Sequence, residues 1–187
     1  MMQSSANVTD LTKNQLNSDF ILKLRKVYWT ESYCLRYLPF VVGKLGANSL
    51  LTLLDSHLPI IKSRRIFMEN IFSELNVKAG GVPCPIFKKL IGKAGNIVYH
   101  IKSRDSNYAP ELIEVLLEIS IYRGHLYNWL HQAFETMDKP LISEALSMCL
   151  LQEDGFFYGL LRIKEPREIK YEDRTLLSVL PAEPLNN

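Results

Sequence analysis

The chain has 187 residues, 47% of them hydrophobic and 22% charged, with a formal net charge of +2. This composition suffices for one domain with a real core and excludes a wholly disordered chain. The mixing of charge signs makes no case for nucleic acid or an anionic membrane as a partner.

Met1 to Lys13 is polar and lacks the apolar segment of a secretion signal. No stretch approaches the roughly 18 uninterrupted apolar residues of a membrane helix. The expected setting is therefore the cytoplasm. Cys34, Cys84 and Cys149 are odd in number and lack C-x-x-C spacing, which argues against a disulfide framework or a zinc site. Cys34 and Cys149 read as small core residues.

Residues 1–17 read as a flexible polar leader. Ser18 is a candidate cap for a first helix ending near Gly46 and kinked at Pro39. Its apolar stripe (Phe20, Leu24, Val27, Leu35, Leu38, Val42) recurs every three or four residues. Glu31 falls on that stripe, four residues from both Val27 and Leu35. A carboxylate there is costly unless a cation, a metal or several donors meet it.

Asn48 or Ser49 caps a second helix to about Asn76, bent at Pro59, with Leu54, His57, Ile61, Met68 and Phe72 on one side. The basic run Lys62 to Arg65 is too short to mark a binding patch and reads as a solvated face. Gly80 and Gly81 mark a loop before a shorter third helix from Pro85 to Lys102. A fourth runs from Pro110 to Met137. Asp138 is the expected cap of a fifth, which carries Pro140 in its first turn and continues to Ile163. Residues 164–187, with three prolines, read as an extended tail.

Four long helices, one short helix and brief loops predict an all-α antiparallel four-helix bundle with an additional short helix over residues 18–163. On the fifth helix Glu153 repeats the oddity of Glu31, since it lies on the stripe of Cys149 and Phe156. Two inward carboxylates begin a bundle metal site, but such sites also use Glu-x-x-His pairs. None occurs here. His57 reads as a hydrogen-bonded core residue, while His100 and His131 belong toward the surface.

The stretch Val27-Tyr28-Trp29-Thr30-Glu31, followed by Leu35 and Leu38-Pro39, resembles the first helix of the YciE/YciF-like family of ferritin-like bacterial proteins. The likeness continues through His57-Leu58, Arg65 with Phe72, and Cys84 with Leu90-Ile91, over roughly residues 19 to 163. It implies a ferritin-like bundle, often a homodimer, associated with stress responses and with di-metal capacity in some members. This chain departs at the positions that would bind metal. It has Pro59 and Lys62 after His57-Leu58, Lys93 in the third helix, and Ser120-Ile121-Tyr122-Arg123 in place of an acidic and histidine motif. Glu153-Asp154 persists.

The expectation is thus a non-enzymatic ferritin-like homodimer with a degenerate di-metal site, no catalytic residue and no cofactor. Arg123, with Lys62 or Lys93 as the next candidates, would pair with Glu31 or Glu153 in place of the lost ion. The alternative is a weak iron or manganese site, or a storage function, built from Glu31, Glu153, Asp154 and His57. A third possibility is an aromatic ligand pocket lined by Tyr28, Trp29, Tyr33 and Tyr37 with Tyr122, Tyr127 and Trp129. The protein partner stays unnamed at this level.

Overall fold

The computed structural model describes residues 6–45, 48–100 and 109–165. They form five helices: α1 (Ala6–Lys44), α2 (Ser49–Glu74), α3 (Pro85–His100), α4 (Ala109–Thr136) and α5 (Pro140–Lys164). No strand occurs among the described residues, and none of these helices is long and apolar enough to cross a membrane.

Helix α1 starts at Ala6 rather than at Ser18, so most of the expected leader is helical. No glycine or proline interrupts the chain between Ala6 and Pro39, and polar residues alone do not stop a helix. Residues 1–5, Gly46 and residues 166–187 lie outside the described residues. Pro39 and Pro59 both sit inside helices on exposed positions, where water can satisfy the carbonyl that a missing N–H leaves free.

Asn48 caps α2, its side chain accepting from the Leu51 N–H at 2.8 Å. Asp138 does not cap α5. It takes φ 54° just after α4, while Lys139 holds the cap position without a side-chain bond. The Asp138 and Lys139 amides instead donate back to Glu135 and Phe134, so Asp138 closes the preceding helix, a left-handed role that Asp tolerates.

Contacts between elements fix the topology. Phe20 packs edge-on against Phe134, and further along Glu31 meets Arg123, so α1 and α4 are antiparallel. Tyr28 meets Phe72, which pairs α1 with α2 in the same sense. His57 stacks on Phe156 and Arg64 reaches Cys149, joining α2 to α5, while Ser143 with His131 and Lys164 with Glu114 join α5 to α4. The four long helices enclose one core. Helix α3 lies outside the square, with Phe87 against Trp29 and Tyr122 and Lys93 paired to Glu118.

The core has two apolar halves. One gathers Phe20, Leu24, Met68, Phe72, Leu130 and Leu146; the other gathers Leu38, Leu54, Ile61, Phe87, Leu116 and Phe156. The buried polar residues Glu31, His57, Arg64, Ser120, Arg123 and Glu153 lie at intermediate positions along the same helices.

The loop that carries the chain from α2 to α3 is laid on α1. The Val82 N–H donates to the Arg25 carbonyl at 3.2 Å, and a Cβ at Gly81 would lie 2.9 Å from Trp29 Cβ and 3.1 Å from its Cα. Backbone cannot move aside as a flexible side-chain tip can. Gly81→Ala should therefore lift the loop from α1 and cost about 1–3 kcal/mol, read by urea unfolding followed through circular dichroism.

Candidate functional site

Four helices each place one charged side chain at the mid-bundle level: Glu31 from α1, Arg64 from α2, Arg123 from α4 and Glu153 from α5. Glu31 and Glu153 are 0% exposed, Arg64 2% and Arg123 1%. All four lie on the apolar stripes of their helices. Arg64, for example, is three after Ile61 and four before Met68, so helical periodicity turns it inward.

The charges interlock. Arg123 grips Glu31, with Nη2 at 2.8 Å from Oε1 and 2.9 Å from Oε2 and with Nε at 3.2 Å from Oε1. Its Nη1 turns the other way, 3.4 Å from Glu153 Oε2 and 3.3 Å from His57 Nε2. Arg64 Nη1 donates to Glu153 Oε2. Its Nη2 donates to the Cys149 carbonyl and its Nε to Gln152 Oε1, each at 3.0 Å. The Tyr127 hydroxyl donates to Glu31 Oε1 at 2.8 Å, and Ser120 donates to Glu153 Oε1 at 2.9 Å. The Tyr127 ring also lies under Arg64, 5.2 Å from the guanidinium carbon. Every carboxylate oxygen thus accepts a charged or hydroxyl donor, and each guanidinium nitrogen has a partner.

The layer is electrically neutral, two cations against two anions, provided His57 is uncharged. The geometry requires that: a guanidinium only donates, so Nε2 accepts from Arg123 and the ring proton sits on Nδ1. Burial pushes the His57 pKa down to about 3; Arg123 and Arg64 push the same way, against the pull of Glu153. Burial alone would raise the Glu153 carboxyl, but Arg123 and Arg64 outweigh it and hold it below the usual range. The buried Cys34 and Cys149 thiols are pushed up to about 12 and about 11 by desolvation and stay protonated.

The structure brings Glu31, Glu153, His57 and Arg123 together and leaves the other sequence candidates out. Lys62 is exposed, and Lys93 is engaged at the surface with Glu118 at 2.6 Å. Asp154 is half-buried and makes no hydrogen bond to the layer among the described residues; desolvation and then the Glu153 charge raise its carboxyl. Treating Lys62 to Arg65 as one solvated face misses Arg64. A block of basic residues on a helix spans more than one side, and the stripe spacing singles out position 64. Ser120 and Tyr127 stand three before and four after Arg123, which is the signal that could have found them. His131 is half-buried rather than superficial and bonds Ser143 at 2.6 Å.

The expected aromatic pocket does not form as one cavity. Trp29 and Tyr33 stack on each other, Trp129 packs on Phe20, Tyr122 bonds Cys84 and Tyr127 serves the charged layer. Tyr37 borders a small cavity beside the layer with Cys34, His57, Arg123 and Phe156.

Judged as a two-metal centre, the layer does not fit. Such a centre in a bundle draws carboxylates from four helices and two histidines that keep a free nitrogen. Here two of the helices supply guanidinium groups, which cannot deprotonate, and their donors occupy the carboxylate oxygens and His57 Nε2. No group of three or more metal-ligand side chains occurs among the described residues.

A ferritin-like helical bundle crossed by a paired-charge layer is the class that fold and site define. Residues 15–162 match the family model described as a domain of unknown function, DUF892, and the chain belongs to that family, whose solved relatives are YciF-like. The crystal structure of the E. coli stress protein YciF superposes with a TM-score of 0.72 at 19% identity, covering 79% of this chain and 93% of that one. YcfI of Rhodopseudomonas palustris, provisionally described as a structural protein, gives a TM-score of 0.65 at 22% identity over 85% and 98% of the two chains. No curated protein sequence matches the chain.

Removing one member strands a charge in the core. Arg123→Ala should lower stability by about 3–5 kcal/mol. Glu31→Leu combined with Arg123→Met should cost clearly less than that single change, because it removes the charges as a pair. Chemical denaturation of the three proteins measures both.

His57 also sets a pH dependence. Its folded pKa lies near 3 against an ordinary 6.5, so between those values the unfolded chain binds the extra proton and stability falls as pH falls. The slope should approach about 1.4 kcal/mol per pH unit from this group alone. Glu153, held below its ordinary 4.5, adds a loss that begins near that value and continues as pH drops through its folded pKa. His57→Gln should flatten the melting temperature between pH 6.5 and 4.5 and leave the steeper acid limb in place.

Proposed function

We propose that this chain is a non-enzymatic, cytoplasmic ferritin-like protein in which the di-metal site of the architecture has degenerated into a salt-bridged core, with a structural or stress-related role. The observation that carries the reading is the seating of Arg123: its guanidinium clasps both oxygens of Glu31 and also faces Glu153, where a bridging cation would otherwise sit. Arg64 brings a second cation to Glu153, its Nη1 bonding the same Oε2 that Arg123 Nη1 faces. A fixed organic cation supplies the compensating charge without redox chemistry or an open coordination position. The descriptions of the two similar structures, a stress protein and a structural protein, support the role and give no reaction.

Calorimetric titration of the metal-free protein with ferrous or manganous ion under anoxic conditions tests the reading. The expected outcome is no saturable binding and an unchanged thermal midpoint, since a ligand that binds only the folded state must raise it. Stoichiometric uptake lost in Glu31→Gln or Glu153→Gln would favour the weak metal-binding alternative instead.

A further inference from the structure

The formal net charge of +2 conceals an uneven surface. From Phe20 to Lys44, α1 carries a single acidic residue, and that residue is the buried Glu31. From Leu75 to His100, through the loop and all of α3, there is no aspartate or glutamate. These two stretches lie side by side. Phe87 meets Trp29, and Gly95 leaves room for the Tyr37 hydroxyl eight residues further on, so α3 runs alongside α1 in the same direction. Signs that mix along the sequence therefore separate in space. Acids such as Asp55, Glu111 and Glu144 stand exposed on α2, α4 and α5, whereas the α1–α3 wall brings only cations to the surface. Arg25, Lys26, Arg36, Lys78, Lys88 and Lys89 have no acidic partner among the described residues; Lys93, on the α4 side of α3, is taken by Glu118.

Apolar side chains are set among these cations. Leu22, Lys26, Trp29, Tyr33, Arg36 and Phe40 follow one another at steps of four and three, which puts them on one seam of α1. Leu22 is 41% exposed and Phe40 45%. Lys88, Gly92, Gly95 and Tyr99 repeat the spacing on α3, and the fit of Gly95 against Tyr37 lays this second seam next to the first. Tyr99 is 78% exposed.

We propose that the α1–α3 wall is a docking surface for an anionic phospholipid bilayer. Its lysines and arginines answer the phosphates of the headgroups. Leu22, Phe40 and Tyr99 suit the depth at which headgroups meet acyl chains. The phosphates of a nucleic acid would engage the cations equally well, but they offer an aliphatic side chain such as Leu22 nothing in exchange for its exposure. The seams run along neighbouring helices rather than around a pocket, and a fluid headgroup layer matches charges at any spacing. The contact is peripheral, since none of the described helices is long and apolar enough to span a membrane and the apolar sides of α1 and α3 are committed to the core through Leu24, Val27, Phe87 and Ile91. Attraction therefore rests mainly on charge and weakens with salt. The wall is separate from the buried charged layer and does not depend on whether a metal binds there.

Flotation of the full chain with vesicles tests the proposal. Vesicles of equal parts phosphatidylglycerol and phosphatidylcholine should carry the protein upward at low salt, vesicles of phosphatidylcholine alone should not, and added salt should release it. Each cation near an anionic surface contributes about fivefold, so Lys88→Gln with Lys89→Gln should weaken binding about twentyfold or more. Arg162→Gln with Lys164→Gln removes the same charge from α5, which lies diagonal to α1, and should leave binding nearly unchanged. Phe40→Ser should weaken binding while the net charge and the circular dichroism spectrum stay the same. A protein that ignores anionic vesicles at low salt overturns the proposal. So does an equal loss from both double substitutions, a Phe40→Ser variant that binds like the wild type, or a preference for duplex DNA over the vesicles.

Discussion

The bundle depends on a balance of two carboxylates and two guanidiniums sealed at its middle. Taken singly, each of these groups is among the least tolerable things a protein core can hold, because desolvating an ion costs several kcal/mol even after relaxation. Together Glu31, Arg64, Arg123 and Glu153 satisfy one another, and His57, Ser120, Tyr127 and Gln152 absorb the remaining donors and acceptors. The arrangement works only if α1, α2, α4 and α5 meet at one height. The position of each helix along the bundle axis is therefore set by polar geometry, while the apolar halves on either side supply most of the attraction.

This division of labour explains the surroundings of the layer. Phe156 lies flat on His57 at 4.0 Å, and the Tyr127 ring lies under Arg64, so aromatic faces close off the charges where no further hydrogen bond is available. Cys34 and Cys149 sit next to the layer as protonated thiols, small enough to fill space beside the guanidiniums without adding charge. Helix α3 takes no part in the layer. It serves as an outer wall, held through Phe87 and through the loop that Trp29 supports.

Much of this was legible from the chain, because helical periodicity is a strong signal over long stretches. The stripe through Phe20, Leu24 and Val27 exposes Glu31 as an intruder, and the same logic reaches Glu153, whereas Arg123 stands out through the departure of residues 120–123 from the YciE/YciF-like pattern. It failed at Arg64, where three neighbouring basic residues encouraged a reading by composition instead of by angle around the helix. It failed at Asp138 because a residue fit for capping the next helix is equally fit for ending the last, and the choice rests on backbone hydrogen bonds to Glu135 and Phe134 that sequence does not display. The start of α1 is hidden for a third reason: the sequence from Ala6 to Asn17 is mostly polar, and only the lack of a breaker indicates a helix. Which cation meets which carboxylate is a matter of side-chain reach across the bundle, and spacing along one chain cannot specify it.

The interlocked layer also limits how such a sequence can drift. A domain of this size is commonly stable by only about 5–15 kcal/mol, so a lineage that loses one arginine or one glutamate at a time must traverse variants that fold poorly. Substitutions at Glu31 and Arg123, or at Arg64 and Glu153, are accordingly expected to arrive in concert or not at all. With guanidinium groups at the centre, the same coupling opposes their replacement one at a time, and the electrostatics of the interior hold the sequence to this arrangement.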